Sequence, residues 1–360
     1  MDYLRNCWNL AGWSAELPPG GMLARRLLDT PVLLFRDKAG EAKAVLDRCP
    51  HRFAPLSMGK VEDGAIVCGY HGLAFAGNGK CIHNPHGPVV SALNVTAFPV
   101  RERFYGLWIW MGDPALADDS LLPDLEFVNE APATAFSTGY LHGQGNYQLY
   151  ADNLLDLTHV DFLHPTTLGG GSITRTKPVF EQEGNAVAIK WHPRNETPSP
   201  VHRGLLGLAD DDDQRVDSWT EVYWEAPSLI QIVTGVVPTG VARPPEDSAR
   251  AIHVLTPESA HSTHYFFASA RKFAVDDEEF NRQFAETRHR VFSTEDRPMI
   301  VGQSERMEGQ DFWDLRPALL PTDAGAVRVR RILERLISQE REGAVAAKPV
   351  VEELDQVGNG

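Results

Sequence analysis

Two imidazoles, an amide and a carboxylate recur in the segment Asn153-Leu-Leu-Asp156-Leu-Thr-His159-Val-Asp-Phe-Leu-His164-Pro165. At about 3.6 residues per turn, Asn153, Asp156 and His159 are i, i+3 steps apart, so a helix would present all three on one face. Leu154, Leu155, Leu157 and Val160 supply an apolar face to anchor it. His164 falls off the polar face, and Pro165 disfavours helical geometry at the residue before it, so the helix is expected to end or distort near His164. Two neutral imidazoles held this way begin a metal site. A carboxylate from elsewhere would complete the two-His, one-carboxylate set of non-haem Fe(II) oxygenases, which keeps coordination positions open for oxygen. The plainer reading is a pair of hydrogen-bonded histidines on a buried helix.

A second motif lies upstream. Cys49-Pro-His51-Arg and Cys68-Gly-Tyr-His71-Gly each pair one thiol with one imidazole, in two separate loops. Such a set holds either tetrahedral zinc or a Rieske [2Fe-2S] cluster, with both cysteines on one iron and both histidines on the other. Pro50, Gly69 and Gly72 permit the tight turns that aim backbone N–H groups at cluster sulfurs. Spacing alone leaves both metals open. The remaining cysteines, Cys7 and Cys81, make too few for a disulfide scaffold in 360 residues, so a reduced, cytoplasmic setting is expected.

The elements that must position these residues divide the chain in two. Up to about residue 125, short branched and aromatic runs such as Val32–Phe35, Ala44–Leu46 and Leu107–Trp110 alternate with Gly, Pro and Asp turns, as in a small β domain. A linker is expected from Asp113 to Pro123. Over 126–342, strands are expected at Ala186–Trp191, Trp219–Trp224, Leu229–Val237, His253–Leu255 and His264–Ala268. Helices are expected over Val275–Val291 and Ala326–Glu340. The fold class is therefore α+β, an all-β unit followed by an antiparallel sheet carrying the iron-site helices. Residues 343–360 read as a disordered tail and Asp210–Asp213 as a mobile loop, with His83-Asn-Pro-His86 a loop near the thiol motif.

A net charge of −15 argues against nucleic acid and anionic membranes as partners. No run of eighteen apolar residues is present, and the first residues lack a signal-peptide pattern. No G-x-G-x-x-G follows a strand, so electrons must come from outside the chain.

Together, the two motifs in this order and separation resemble the oxygenase component of Rieske non-haem iron oxygenases. The chain is most similar to the vanillate and dicamba demethylase branch, through His51-Arg-Phe-Ala-Pro-Leu, Gly106-Leu-Trp-Ile-Trp, Asp152-Asn-Leu-Leu-Asp-Leu-Thr-His and Leu255-Thr-Pro-Glu. The resemblance implies that Cys49, His51, Cys68 and His71 hold the [2Fe-2S] cluster. It implies that His159, His164 and a downstream aspartate, Asp296 in Ser293-Thr-Glu295-Asp296-Arg-Pro298, hold a mononuclear Fe(II). Glu295 is the neighbouring alternative, and since adjacent helical positions diverge by about 100°, one of the two is expected to face the iron. Pro298 places Asp296 at a helix start or kink.

The resemblance further implies a head-to-tail homotrimer in which Asp156 links His71 of one subunit to His159 of the next, with Asn153 near the iron. It implies electrons from NADH or NADPH through a flavin-dependent reductase and a ferredoxin. With O2, a carbon next to an ether oxygen or amide nitrogen is hydroxylated, and the product collapses to release an aldehyde, the net result being N- or O-dealkylation of a small aromatic substrate. A ring-hydroxylating dioxygenase is the alternative with the same metals. Alignment with the dicamba branch places Ile232, His253 and Thr287 at the substrate. Ile in place of a hydrogen-bonding Asn removes a partner for a buried carboxylate, which favours a neutral substrate such as a chloroacetanilide herbicide over a vanillate-like acid. His253 reads equally as a satisfied core histidine.

Overall fold

The computed structural model describes residues 3–209, 211–244 and 249–343. The expected tail, apart from Gly343, and Asp210 of the acidic run lie outside them. The N-terminal strands are β1 (Trp8–Trp13), β2 (Met22–Leu27), β3 (Thr30–Arg36), β4 (Ala42–Leu46), β5 (Lys60–Glu62), β6 (Ala65–Val67), β7 (Ala74–Phe75), β8 (Cys81–His83), β9 (Ala97–Phe98), β10 (Val100–Arg103) and β11 (Gly106–Trp110). They form three antiparallel sheets, ordered β1-β11-β10, β2-β3-β4-β9 and β5-β6-β7-β8. The Asp113–Pro123 segment contains two 3₁₀ turns, begun where the Asp113 and Asp118 carboxylates accept from the N–H groups of Ala115 and Ser120.

The rest is built on one seven-stranded antiparallel sheet of β12 (Phe136–Gln144), β13 (Val179–Glu183), β14 (Ala186–Trp191), β15 (Val216–Glu225), β16 (Leu229–Pro238), β17 (Ala249–Ser259) and β18 (Ser262–Arg271). Its order is β12-β18-β17-β16-β15-β14-β13. The helices are the short α1 (Glu126–Glu130), then α2 (Tyr147–Leu155), α3 (Val160–Leu163), α4 (Ser172–Arg175), α5 (Pro200–Leu206), α6 (Glu278–Arg290), α7 (Arg297–Met307) and α8 (Ala324–Arg341).

The central strands are apolar on both faces because both faces are covered. Ile252, Val254, Phe266 and Ala268 pack against Trp8, Trp13, Trp108 and Trp110 of the N-terminal unit. The opposite-pointing Leu255, Tyr265, Phe267 and Ile230 join a second core with Leu154 and Leu155 of α2 and Ile300 of α7. Hydrogen bonds tie the first interface: Trp13 Nε1 donates to the Gly139 carbonyl at 2.9 Å and Thr256 Oγ1 to that of Leu10 at 2.7 Å.

α8 holds α2 in place. The Arg330 guanidinium is buried, donates to both carboxylate oxygens of Asp152 and to Gln148 Oε1 at 2.6 Å, and lies 4.1 Å from the Phe312 ring centroid. Arg330→Met would strand the Asp152 carboxylate in the interior, a loss of about 3–5 kcal/mol. The melting temperature is expected to fall by several degrees, with partial recovery in Arg330→Met/Asp152→Leu. A single variant that melts with the native protein would rule out this clamp.

Candidate active site

The thiol–imidazole motifs occupy two loops of matching geometry. The N–H of Phe53 donates to the Cys49 carbonyl at 2.9 Å and that of Gly72 to the Cys68 carbonyl at 3.1 Å. Phe53 and Gly72, each four residues past its cysteine, both have positive φ, at 60° and 73°. Each loop thus curls back over its cysteine, a turn that glycine makes without strain and Phe53 only because the loop imposes it. The thiols are 2% exposed and belong to a core with Leu33, Leu56 and Phe75. Burial pushes the Cys49 thiol pKa up, opposed by the His51 N–H and reinforced by the adjacent Cys68.

His51 and His71 sit at the surface with ring centroids 4.5 Å apart. His86 Nε2 lies 3.0 Å from the His71 carbonyl, so the His83–His86 loop abuts the motif. Buried sulfurs beneath one exposed and one half-buried imidazole match a two-iron cluster with chemically different ends. The four ligands do not close on a single ion. Among the described residues, only His159, His164 and Asp296 do.

The continuous helix expected through His159 does not form. α2 ends at Leu155, Asp156 takes an extended conformation, a 3₁₀ turn covers Leu157–His159, and α3 then runs to Leu163. The Asp156 carboxylate causes the break, accepting from Thr158 N at 2.9 Å and Thr158 Oγ1 at 2.7 Å as the cap of the next turn. Asn153, Asp156 and His159 therefore do not share one helical face. Asn153 Nδ2 still reaches across the break, 3.5 Å from His159 Nε2 and 3.2 Å from Asp296 Oδ1. His164 is the residue that ends α3.

The carboxylate arrives on a kinked rod. The helix expected over Val275–Val291 begins at Glu278, capped by Asp277, and passes through a π-helical turn over Val291–Asp296 into α7. Pro298 falls in the first turn of α7, where its missing N–H and ring are tolerated. Ser293 and Thr294 hydroxyls both donate to the Arg290 carbonyl in the widened turn. Asp296 Oδ1 thereby lies 3.1 Å from His164 Nε2 and 3.4 Å from His159 Nε2.

Both rings have their second nitrogen engaged: His159 Nδ1 donates to the Asp156 carbonyl at 2.7 Å, and His164 Nδ1 to Glu295 Oε2 at 2.7 Å. Neutral rings in these tautomers point two nitrogen lone pairs and a carboxylate at one spot, a donor set that fits a divalent iron. His164 and Asp296 are 1% and 4% exposed. Burial raises the Asp296 pKa, but His159 and His164 outweigh it and hold it at about 2. For His164, burial lowers the pKa, and the hydrogen bonds to Asp296 and Glu295 raise it overall.

The inner face of the sheet underlies this centre. Across it, Ile232, Ala251, Ser269 and Ser137 stand in register, a row of mostly small side chains. One step along, His253 pairs with Phe267, which pairs with Gly139, where a Cβ would come within 2.1 Å of the Phe267 ring. His253 is 1% exposed, its Nδ1 is 2.8 Å from Tyr265 Oη, and burial drives its pKa down to about 3. Ile232 is half-buried on this face. Thr287, the third position expected at the substrate, is exposed on α6. The next residue, Arg288, turns inward instead and donates to Ser137 Oγ at 3.0 Å. Sequence reasoning weighed Glu295 only as an alternative ligand, not as the partner of His164 Nδ1, and passed over Arg288. The i+4 series Phe284, Arg288, Phe292, Asp296 was the available signal.

A two-loop Cys2His2 unit joined to a sheet whose covering helices gather two imidazoles and a carboxylate has the architecture of a two-centre iron oxygenase. Residues 144–339 match the vanillate O-demethylase oxygenase C-terminal domain and residues 7–98 the Rieske [2Fe-2S] domain. The chain is 40% identical over 348 residues to the oxygenase component of chloroacetanilide N-alkylformylase from Rhizorhabdus wittichii, covering 96% of this chain and 99% of that protein. It is 38% identical to the dicamba O-demethylase oxygenase component of Stenotrophomonas maltophilia, covering 93% and 98%. A crystal structure of dicamba monooxygenase bound to 3,6-dichlorosalicylic acid superposes with a TM-score of 0.88 at 36% identity, covering 95% and 99%. The chain belongs to the Rieske non-haem iron oxygenases, in the branch of N- and O-dealkylating monooxygenases. It is an oxygenase component, carrying a [2Fe-2S] cluster and a mononuclear iron and served by separate electron-transfer proteins.

Glu295→Gln is expected to weaken Co(II) or Fe(II) binding by roughly 10- to 100-fold, because the carboxylate that sets the His164 tautomer is lost. Metal titration of the cluster-loaded protein checks this. Unchanged affinity would show that Glu295 does not orient the ring.

Proposed function

We propose that the chain oxidatively dealkylates a small aromatic compound, with His159, His164 and Asp296 holding the iron and Cys49, His51, Cys68 and His71 holding the cluster. The observation that carries this reading is the convergence of two imidazoles and a carboxylate on one point, with no fourth His, Cys, Asp or Glu among the described residues, a set that leaves coordination positions open. The iron, when bound, supplies oxygen activation. The chain's own residues do the rest. Asp156 and Glu295 fix the two ring tautomers, Asn153 steadies the Asp296 carboxylate, and the apolar rings of Phe267 and Phe292 keep bulk water from the reacting carbon.

The reaction balances with one O2, two electrons and two protons. One oxygen atom enters the carbon attached to the ether oxygen or amide nitrogen, and the other leaves as water. The hydroxylated carbon then departs as an aldehyde when its C–O or C–N bond breaks. An N-alkoxyalkyl anilide and a methoxylated aromatic acid both present such a carbon, and the relatives' names point to a chloroacetanilide, dicamba and vanillate.

A cluster unit over residues 1–125 and an iron unit over 126–342 work in a cytoplasmic head-to-tail trimer, fed by a ferredoxin and a flavin-dependent NAD(P)H reductase. No helix among the described residues is long and apolar enough to cross a membrane. Asp156 Oδ2 has no partner among the described residues while Oδ1 takes both Thr158 donors, so it is available to His71 of a neighbouring subunit.

The test is turnover of the iron-replete protein with a surrogate ferredoxin, reductase and NADH. One aldehyde per O2 is expected, with the dealkylated aromatic in equal amount. A cis-diol without aldehyde would contradict the reading in favour of ring dihydroxylation. Asp156→Asn is expected to cut turnover by at least roughly tenfold with the visible spectrum of the cluster intact. Native turnover in that variant would exclude the electron route.

A further inference from the structure

Arg288 is a cation without a counterion. Its Nη2 donates to the backbone carbonyl and Oγ of Ser137, while Nε and Nη1 are inaccessible to solvent and have no partner. The guanidinium lies 5.2 Å from the centroid of the Phe267 ring, and burial lowers its pKa to about 10, which leaves it charged at neutral pH. An isolated buried guanidinium is costly, and folded chains ordinarily supply a carboxylate to it. This chain has 49 acidic residues against 34 basic ones, yet none of the described carboxylates pairs with Arg288.

Its position says what the missing partner is. Arg288 sits on the rod that carries Asp296, with Phe292 between them, and leans on the small-residue row of the inner sheet face. Arg288 lies eight positions before Asp296, separated from it by the end of α6 and the π turn, a separation that accommodates one aromatic ring with substituents at opposite ends. Phe267 and Phe292, 5.2 Å apart and edge to face, offer that ring apolar walls, and His253, 5.4 Å from Phe292, is neutral and cannot compete for an anion.

We infer that Arg288 receives the acidic group of the substrate, so that the compound dealkylated is an aromatic carboxylate or sulfonate whose reacting carbon lies at the far end of the ring from the acid. This rests on the dealkylase reading and sharpens it. The expectation of a neutral substrate depended on Ile232 and Thr287. Thr287 faces outward, and the charge that Ile232 cannot satisfy is met from the facing helix.

The test uses the cluster- and iron-loaded protein and three acid/neutral pairs: 4-methoxybenzoate and its amide, vanillate and vanillamide, 4-methoxybenzenesulfonate and its sulfonamide. Calorimetry should show at least one acid binding the native protein at least roughly tenfold more tightly than its neutral twin. Arg288→Met should abolish that preference and leave the neutral twin's affinity unchanged, while Arg288→Lys keeps part of it. Without ligand, Arg288→Met should melt no lower than the native protein, since an unpaired interior charge has been removed, whereas a merely structural arginine would make it melt lower.

The inference is overturned if no acid outbinds its neutral twin, or if Arg288→Met weakens both members of a pair equally. Product analysis in the same samples separates the two claims. Acids that bind through Arg288 and yield no aldehyde would sink the dealkylase reading and leave the anion site standing. Amides dealkylated by a protein indifferent to the acids would do the reverse.

Discussion

Two imidazole nitrogens and a carboxylate oxygen aimed at one another repel unless a cation or an added proton lies between them, and the remainder of the structure keeps them aimed. Each ring has its other nitrogen committed as a donor, His159 to a backbone carbonyl and His164 to Glu295, so neither neutral ring can relieve the repulsion by moving its proton inward. The site is therefore built for a metal before one arrives. The irregular backbone follows from this demand. A straight helix through Asn153 and His159 would not free the carbonyl of Asp156 for the His159 ring, and a straight α6–α7 would not accept Pro298 where Asp296 is needed.

The sheet makes this geometry affordable by being covered twice. Its outer face takes the tryptophan-rich side of the β unit that bears the Cys–His loops, and its inner face takes α2, the π-kinked rod and, through α2, the helix α8. The cysteine loops and the His159, His164 and Asp296 cluster thus belong to one packed body although they share no element. Within each loop the pattern is the same, with a thiol buried in a core and an imidazole left at the surface, which suits a cluster that must be both held and reached by a partner.

Much of this was legible in the sequence because it is written locally. The two Cys–His loops, five of the seven strands of the large sheet and the stop at His164 depend on turn residues, branched runs and a proline, and these act over a few residues. The break at Asp156 was not read, since an aspartate at i, i+3 spacing looks like a face residue until its carboxylate is seen capping Thr158. The roles at the kink were missed for a related reason. A π turn changes the angle per residue, so the rule that adjacent residues diverge by about 100° separated Glu295 from Asp296 too sharply; both serve His164, one at each ring nitrogen. The inward turn of Arg288 was not legible either, since only the sheet opposite decides which of two neighbouring helical residues packs against Ser137.

The measurement that bears most directly on the central claim is electron paramagnetic resonance of the reduced holoprotein exposed to nitric oxide, a probe that reports a non-haem Fe(II) with an open position. The account predicts two signals in the native protein, one from the reduced cluster and one from the nitrosyl iron, with Asp296→Ala losing the second and keeping the first. A nitrosyl iron signal that survives Asp296→Ala at native intensity would contradict it, because the three-ligand centre on which the reading rests would then lie elsewhere.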